Sequence, residues 1–169
     1  MDRAGTFTRL LDGIRRAAAA AESVHALQEE IVQTMSRELP YYDWVGFYML
    51  DPADPLALTL GPYRGEPTPH VRIPVDQGIC GAAVASRETI VVDDVSADPR
   101  YLSCSIKTRS EIVVPIRVDG NVVGEIEIDS HTPGPAPRFA RNGLDLVADS
   151  LPAGAAGDGE DILRVQPGI

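Results

Sequence analysis

Between Glu111 and Asp129 the chain reads EIVVPIRVDGNVVGEIEID, two β-branched apolar runs joined at Asp119–Gly120. An Asp-Gly pair between such runs is a strong signal for an antiparallel hairpin, because a two-residue turn needs positive φ at both central positions. Side chains alternate faces along a strand, so Glu125, Glu127 and Asp129 share one face and Gly124, Ile126 and Ile128 the other. The acidic row reads in two ways. It is the solvated face of a sheet, or it lines a pocket in which crowded carboxylates raise one another's pKa. In the second case one carboxyl stays protonated, as a proton donor or a grip on an ammonium group. Register decides whether Glu111 joins the row. A two-residue turn pairs Val118 with Asn121 and sets Glu111 opposite Ile128, on the wrong face. A three-residue loop, Val118–Gly120, pairs Arg117 with Asn121 and sets Glu111 opposite Glu127. A shared pocket therefore predicts a hairpin loop with an odd number of residues.

The N-terminal forty residues read as helix. Phe7, Leu10, Leu11 and Ile14 fall on one helical face. After Ser23, a fitting N-cap, Val24, Leu27, Ile31, Met35 and Leu39 recur at spacings of three and four, and Pro40 stops the run. The period then changes. DWVGFYML, LALTL, VRIPV and TIVVDDV read as strands, the third held to an edge or bulge by its proline. GICGAAVAS is a brief helix opened by glycines, and the stretch Ser96–Ser110 is a long loop. Phe139, Leu144, Val147 and Leu151 return to helical spacing in Arg138–Leu151. Helices at the ends and about six mostly antiparallel strands between them make an α+β domain spanning 1–151, followed by a poorly ordered Gly/Ala/Pro-rich tail, 152–169.

A formal net charge of −10 argues against a nucleic-acid partner, which needs a basic footprint. No stretch approaches the length of a membrane span, and no leader is recognisable. With only two cysteines the chain is no disulfide scaffold, and a cytoplasmic location with reduced thiols is expected. Both cysteines stand in polar, Gly- or Ser-rich, loop-like sequence: Cys80 in VDQGICGAAV and Cys104 in YLSCSIKTRSEIVVPI. Two small buried side chains would be the bland explanation. The alternative is a reactive pair. Cys80 follows Gly78-Ile79 at a prospective helix N-terminus, which lowers a thiol pKa, and Cys104 lies near Arg100, Lys107 and Arg109. A metal site from His70, Cys80 and Cys104 lacks any C-x-x-C spacing, so no metal is expected, and no cofactor-binding motif is present. His25 and His131 read as ordinary polar positions.

DWVGFYML, LGPYRGEP, RIPVDQGICGAAV, VVDDV, SCSIKTRSEIVVPI and VVGEIEIDS together resemble GAF domains, specifically those of the free methionine-(R)-sulfoxide reductases, over roughly Val24–Leu151. The resemblance implies a GAF-like fold and thiol chemistry. One cysteine attacks the sulfoxide sulfur, methionine leaves, a second thiol captures the sulfenic acid as a disulfide, and thioredoxin restores both thiols. Carried over by position, Cys104 matches the nucleophile and Cys80 a second redox cysteine. Glu111, Glu127 and Asp129 match the pocket carboxylates, and Trp44 and Tyr48 the aromatic wall for the methyl-sulfur end. Two positions depart from the pattern. His70 stands where the family usually has a third, resolving cysteine, and Glu127 where it usually has Asp. The implied function is thus a thioredoxin-dependent reductase of free methionine sulfoxide. The alternatives are a GAF module that binds a small ligand without turnover, and a homodimer-forming module built on the terminal helices.

Overall fold

The computed structural model describes residues 3–103, 105–134 and Asp145. Cys104, the expected helix Arg138–Leu151 (apart from Asp145) and the tail 152–169 lie outside the described residues. Two helices open the chain, α1 (Arg3–Ala20) and α2 (Val24–Glu38). The strands β1 (Trp44–Asp51), β2 (Asp54–Arg64) and β3 (Arg72–Pro74) follow, then α3 (Gly78–Ser86), β4 (Ile90–Val92), a 3-10 turn at Val95–Ala97, and the hairpin strands β5 (Ser110–Val118) and β6 (Asn121–Ser130). Ser23 caps α2 as expected, its hydroxyl accepting from the Ala26 N–H at 3.1 Å. The helix ends at Glu38, ahead of Pro40.

All six strands pair antiparallel in the order β3-β2-β1-β6-β5-β4. β3, with its proline, is an edge strand, where a missing N–H costs no ladder bond. The sheet separates two cores. On one face α1 and α2 pack Phe7, Leu10, Ile14, Leu27, Ile31 and Met35 against Val45, Phe47, Ile112, Val114, Ile126 and Ile128. On the other, α3 and the connecting loops pack Ile79, Cys80 and Ala83 against Trp44, Tyr48, Leu58, Ile73 and Val113.

The hairpin corrects the expected register. Its turn has two residues, Val118 pairing with Asn121, with Asp119 at φ 51° and Gly120 at φ 78°. An even loop was expected to turn Glu111 away from the acidic row. A β-bulge cancels that effect. Arg117 pairs with Val122 but Ile116 pairs with Gly124, so Val123 is an extra residue in β6. From the bulge onward the pairing slips by one, and Glu111 lies opposite Asp129 rather than Ile128 or Glu127. Glycine is required beside the bulge, because a Cβ on Gly124 would come within 2.6 Å of the Tyr48 carbonyl oxygen.

Candidate functional site

Three neighbouring strands bring the acidic row and the aromatic residues to the α3 face. Across β1 and β6, Trp44 is opposite Asp129, Gly46 opposite Glu127, and Tyr48 opposite Glu125. Glu111, Glu125, Glu127 and Asp129 are all buried, none more than 3% exposed, so the row is not a solvated face. Removal from water disfavours the charged form. Burial pushes Glu125 up to about 8, with the nearby Cys80 thiol pulling the other way. Glu111 is raised well above the ordinary carboxyl range by burial first, then by Glu127, Asp129 and Glu125. Asp129 is raised by burial and by Glu127, against the pull of the Thr108 hydroxyl, which donates to its Oδ2 at 3.4 Å. Among the described residues, neither oxygen of Glu125 nor Oδ1 of Asp129 has a hydrogen-bond partner.

Cys80 is not in a polar, mobile loop. It is the third residue of α3, 5% exposed, and its Sγ donates to Glu127 Oε2 at 3.4 Å. The Gly-x-Cys-Gly sequence has a packing reason: a Cβ on Gly81 would meet the Val75 carbonyl oxygen at 2.7 Å, so glycine lets the helix start close to the strand before it. The expectation that a helix N-terminus lowers the Cys80 pKa is also overturned. Burial raises it well above the ordinary thiol value, and the charges of Glu125, Glu127 and Glu111 raise it further.

The aromatic wall is a stack. Trp44 lies 5.5 Å from Tyr63 at 18° and 6.2 Å from Tyr48 at 27° between ring planes. Gly46 makes room for it, since a Cβ there would stand 2.3 Å from the indole ring. The Trp44 indole N–H donates to the Glu66 carbonyl at 3.1 Å, and the Tyr48 hydroxyl donates to the His70 carbonyl at 2.7 Å. Beside Trp44 opens a cavity of about 60 Å³, lined by Asp129, Thr108, Thr68, Ser105 and His131 among others. A second void of about 10 Å³ lies against Cys80, Glu111 and Glu127. Two contacts tie the loops that flank the larger cavity. Lys107 pairs with Glu66, and His70 Nε2 lies 3.0 Å from the Ser103 carbonyl oxygen, an acceptor that places the proton on Nε2.

The structure thus brings Trp44, Tyr48, Cys80, Glu111, Glu127 and Asp129 to one face. Trp44 and Asp129 line the larger cavity, while Glu111, Glu127 and Cys80 line the smaller one. Tyr48 lines neither and holds the His70 loop instead. Sequence reasoning passed over Tyr63 and Asp43, although each lies inside a quoted segment, and it placed Glu125 in the acidic row without giving it a role of its own. It also read His131 as ordinary, whereas the His131 Nδ1 lies 3.3 Å from Asp43 Oδ1 at the cavity rim. Stacking partners and rim pairs have no periodic signature, because they arise where separate segments meet.

The family profile of the GAF domain matches residues 23–151. The chain is 46% identical over 92 residues to Protein YtsP of Bacillus subtilis, 54% of this chain and 55% of that protein. It is 39% identical over 88 residues to the free methionine-R-sulfoxide reductase of Escherichia coli, 52% of this chain and 51% of that protein. The matches span about half the length of these curated relatives. The structure of free methionine-R-sulfoxide reductase from Neisseria meningitidis in complex with its substrate superposes with a TM-score of 0.86 at 31% identity, covering 92% of this chain and 93% of that one. No described helix is long and apolar enough to cross a membrane.

Proposed function

The chain belongs to the GAF domain family, and from that premise we propose that it is a thiol-dependent reductase of free methionine-(R)-sulfoxide. The observation that carries the reading is the buried row Glu111, Glu127 and Asp129 set across the strands from an aromatic wall. Buried acids at one end of a site, with Trp44 at the other, suit a small zwitterion that has an ammonium group and an apolar thioether tail. The relatives that carry the reductase name support the same substrate class.

In this reading the substrate's methyl-sulfur end lies against Trp44 in the larger cavity. Cys104, as thiolate, attacks the sulfoxide sulfur. A carboxyl of the row, for which Asp129 is placed at the cavity wall, protonates the sulfoxide oxygen. The S–O bond breaks, methionine departs with the sulfur's lone pair restored, and the oxygen remains as the sulfenic acid of Cys104. The Cys80 thiol then attacks that sulfur and releases water, leaving a Cys80–Cys104 disulfide. Thioredoxin, itself oxidised to a disulfide, returns both thiols. Burial keeps Cys80 protonated, which fits a resolving thiol that acts only after its partner is oxidised. Closure of the bond requires α-carbons within about 7 Å during turnover.

Thioredoxin-coupled NADPH oxidation with free methionine-R-sulfoxide tests the proposal. Turnover is expected, with none in Cys104→Ser. Cys80→Ser should release one equivalent of methionine and then stall. The second reading, ligand binding without turnover, is favoured by one feature: His70 stands where the family's third cysteine usually does and is engaged with the Ser103 carbonyl. Calorimetric binding of methionine sulfoxide with no NADPH consumption would select it.

A further inference from the structure

The smaller void has the donors of a metal site. Cys80 from α3, Glu111 from β5 and Glu127 from β6 place one ligand atom each within 4.8 Å of one another, and all three residues are buried. The Cys80 Sγ to Glu127 Oε2 distance is 3.4 Å. A tetrahedral zinc with Zn–S of ~2.3 Å and Zn–O of ~2.1 Å holds its sulfur and oxygen about 3.6 Å apart. The present spacing is therefore close to that of a bound pair, with a proton where the metal would sit. The void of about 10 Å³ beside these groups is also lined by Ile73, Ile79 and Leu102, and its size suits a single ion rather than an organic ligand.

A fourth group points the same way. Glu125 is fully buried, and among the described residues neither of its oxygens has a partner in good hydrogen-bond geometry, although the Cys80 thiol lies near enough to lower its pKa. It lies close enough to the Cys80 thiol for each to act on the other electrostatically. An unpartnered carboxyl at that depth is costly unless a cation reaches it.

We propose that Cys80, Glu111 and Glu127 form a thiolate–carboxylate site for one borderline divalent cation of the zinc class, with Glu125 a nearby carboxyl whose charge favours the cation. The thiolate selects against magnesium and calcium, which prefer all-oxygen shells. The apolar side chains lining the void limit the access of water to the site. Binding exchanges the Cys80 thiol proton, and that of any donor carboxyl held neutral by burial, for bonds to the metal, so at least one proton is released to solvent. The site shares Cys80, Glu111 and Glu127 with the reductase reading, but its test reads metal binding and needs no turnover. If that reading holds, an occupied site also withholds Cys80 from disulfide formation, and the metal is a reversible inhibitor of turnover.

The test is anaerobic titration of the reduced full chain with cobalt(II), watching for the near-ultraviolet thiolate-to-cobalt charge-transfer band. The expected result is a band that saturates at one cobalt per chain and is abolished by an equivalent of zinc. Cys104→Ser should keep it and Cys80→Ser should lose it. Glu111→Gln, checked for folding by circular dichroism, should weaken cobalt binding at least tenfold. Absence of the band in the wild type overturns the proposal. So does a band that survives in Cys80→Ser and disappears in Cys104→Ser, or one that Glu111→Gln leaves at full affinity.

Discussion

Glu125 is a carboxyl with no exposed surface and, among the described residues, no partner in good hydrogen-bond geometry on either oxygen, and its folded-state pKa is raised from 4.5 to about 8 by burial, against the pull of the Cys80 thiol. Facing it are Cys80 on α3, Glu127 on its own strand and Tyr48 on β1, with Glu111 on β5 part of the same buried acidic group. Between those two pKa values the folded chain holds a proton that the unfolded chain has lost. Stability therefore falls as pH rises through this window and levels off above it. A shift of this size corresponds to roughly 5 kcal/mol across the window. Glu125→Gln keeps the shape and removes the titration. In the presence of a chelator it should match the wild type near pH 5 and melt at a higher temperature at pH 8. Parallel melting curves for the two proteins across that range would refute the assignment. Gly46 makes a second residue-scale case. A Cβ there would stand 2.3 Å and 2.7 Å from indole carbons of Trp44. Gly46→Ala should displace the ring, destabilise by about 1–3 kcal/mol and weaken methionine sulfoxide binding, as measured by denaturation and calorimetry.

At the scale of elements, the bulge at Val123 sets the site. The turn alone would send Glu111 to the helix-covered face, and the extra residue brings it back to the acids. Deleting Val123 restores a regular hairpin but forces a choice between burying Glu111 among Ile112, Val114 and Ile128 or shifting β5 against β6. The deletion should cost several times more stability than Val123→Ala in urea denaturation, and should abolish ligand binding in whatever folded fraction remains. A similar effect size for the two changes would mean that the register is held elsewhere. The loops flanking the larger cavity are a separate case. His70 holds the Ser103 carbonyl and Tyr48 holds the His70 carbonyl, so the wall and the loop before Cys104 are coupled through one residue. His70→Ala should speed amide exchange at 101–108 and raise KM more than it lowers kcat. His70→Asn, which keeps a donor, should partly restore both.

For the whole molecule, the sheet is a partition between the core under α1 and α2 and the core under α3, which holds the candidate site. Ile31 has no exposed surface and packs on the helix side. Ile31→Ala should cost about 2–5 kcal/mol in denaturation while leaving affinity for the proposed substrate, methionine sulfoxide, within about twofold, because the sheet stands between the new cavity and the candidate site. Val113 has no exposed surface either but lies on the other face, opposite Glu127. Val113→Ala should affect both stability and binding. If Ile31→Ala weakened binding as much as Val113→Ala, the two faces would not be independent.

The sequence by itself determined what repeats locally. A period of two put Glu125, Glu127 and Asp129 on one face, a spacing of three and four built the buried stripe of α2, and Asp119–Gly120 located the turn. Each follows from backbone geometry within a few residues, so no distant contact was needed to read it. Only the tertiary structure decided what those residues meet. It turned an even hairpin loop into a shared acidic face by inserting Val123 where Gly124 could approach the β1 backbone. It buried the short helix that carries Cys80 against Glu127, so that desolvation and neighbouring carboxylates outweighed the helix N-terminus in setting its pKa. It also stacked Tyr63 on Trp44 and split the carboxylates between two cavities. Burial and cross-strand distance depend on segments far apart in the chain, and a pattern that repeats every two or four residues carries no information about them.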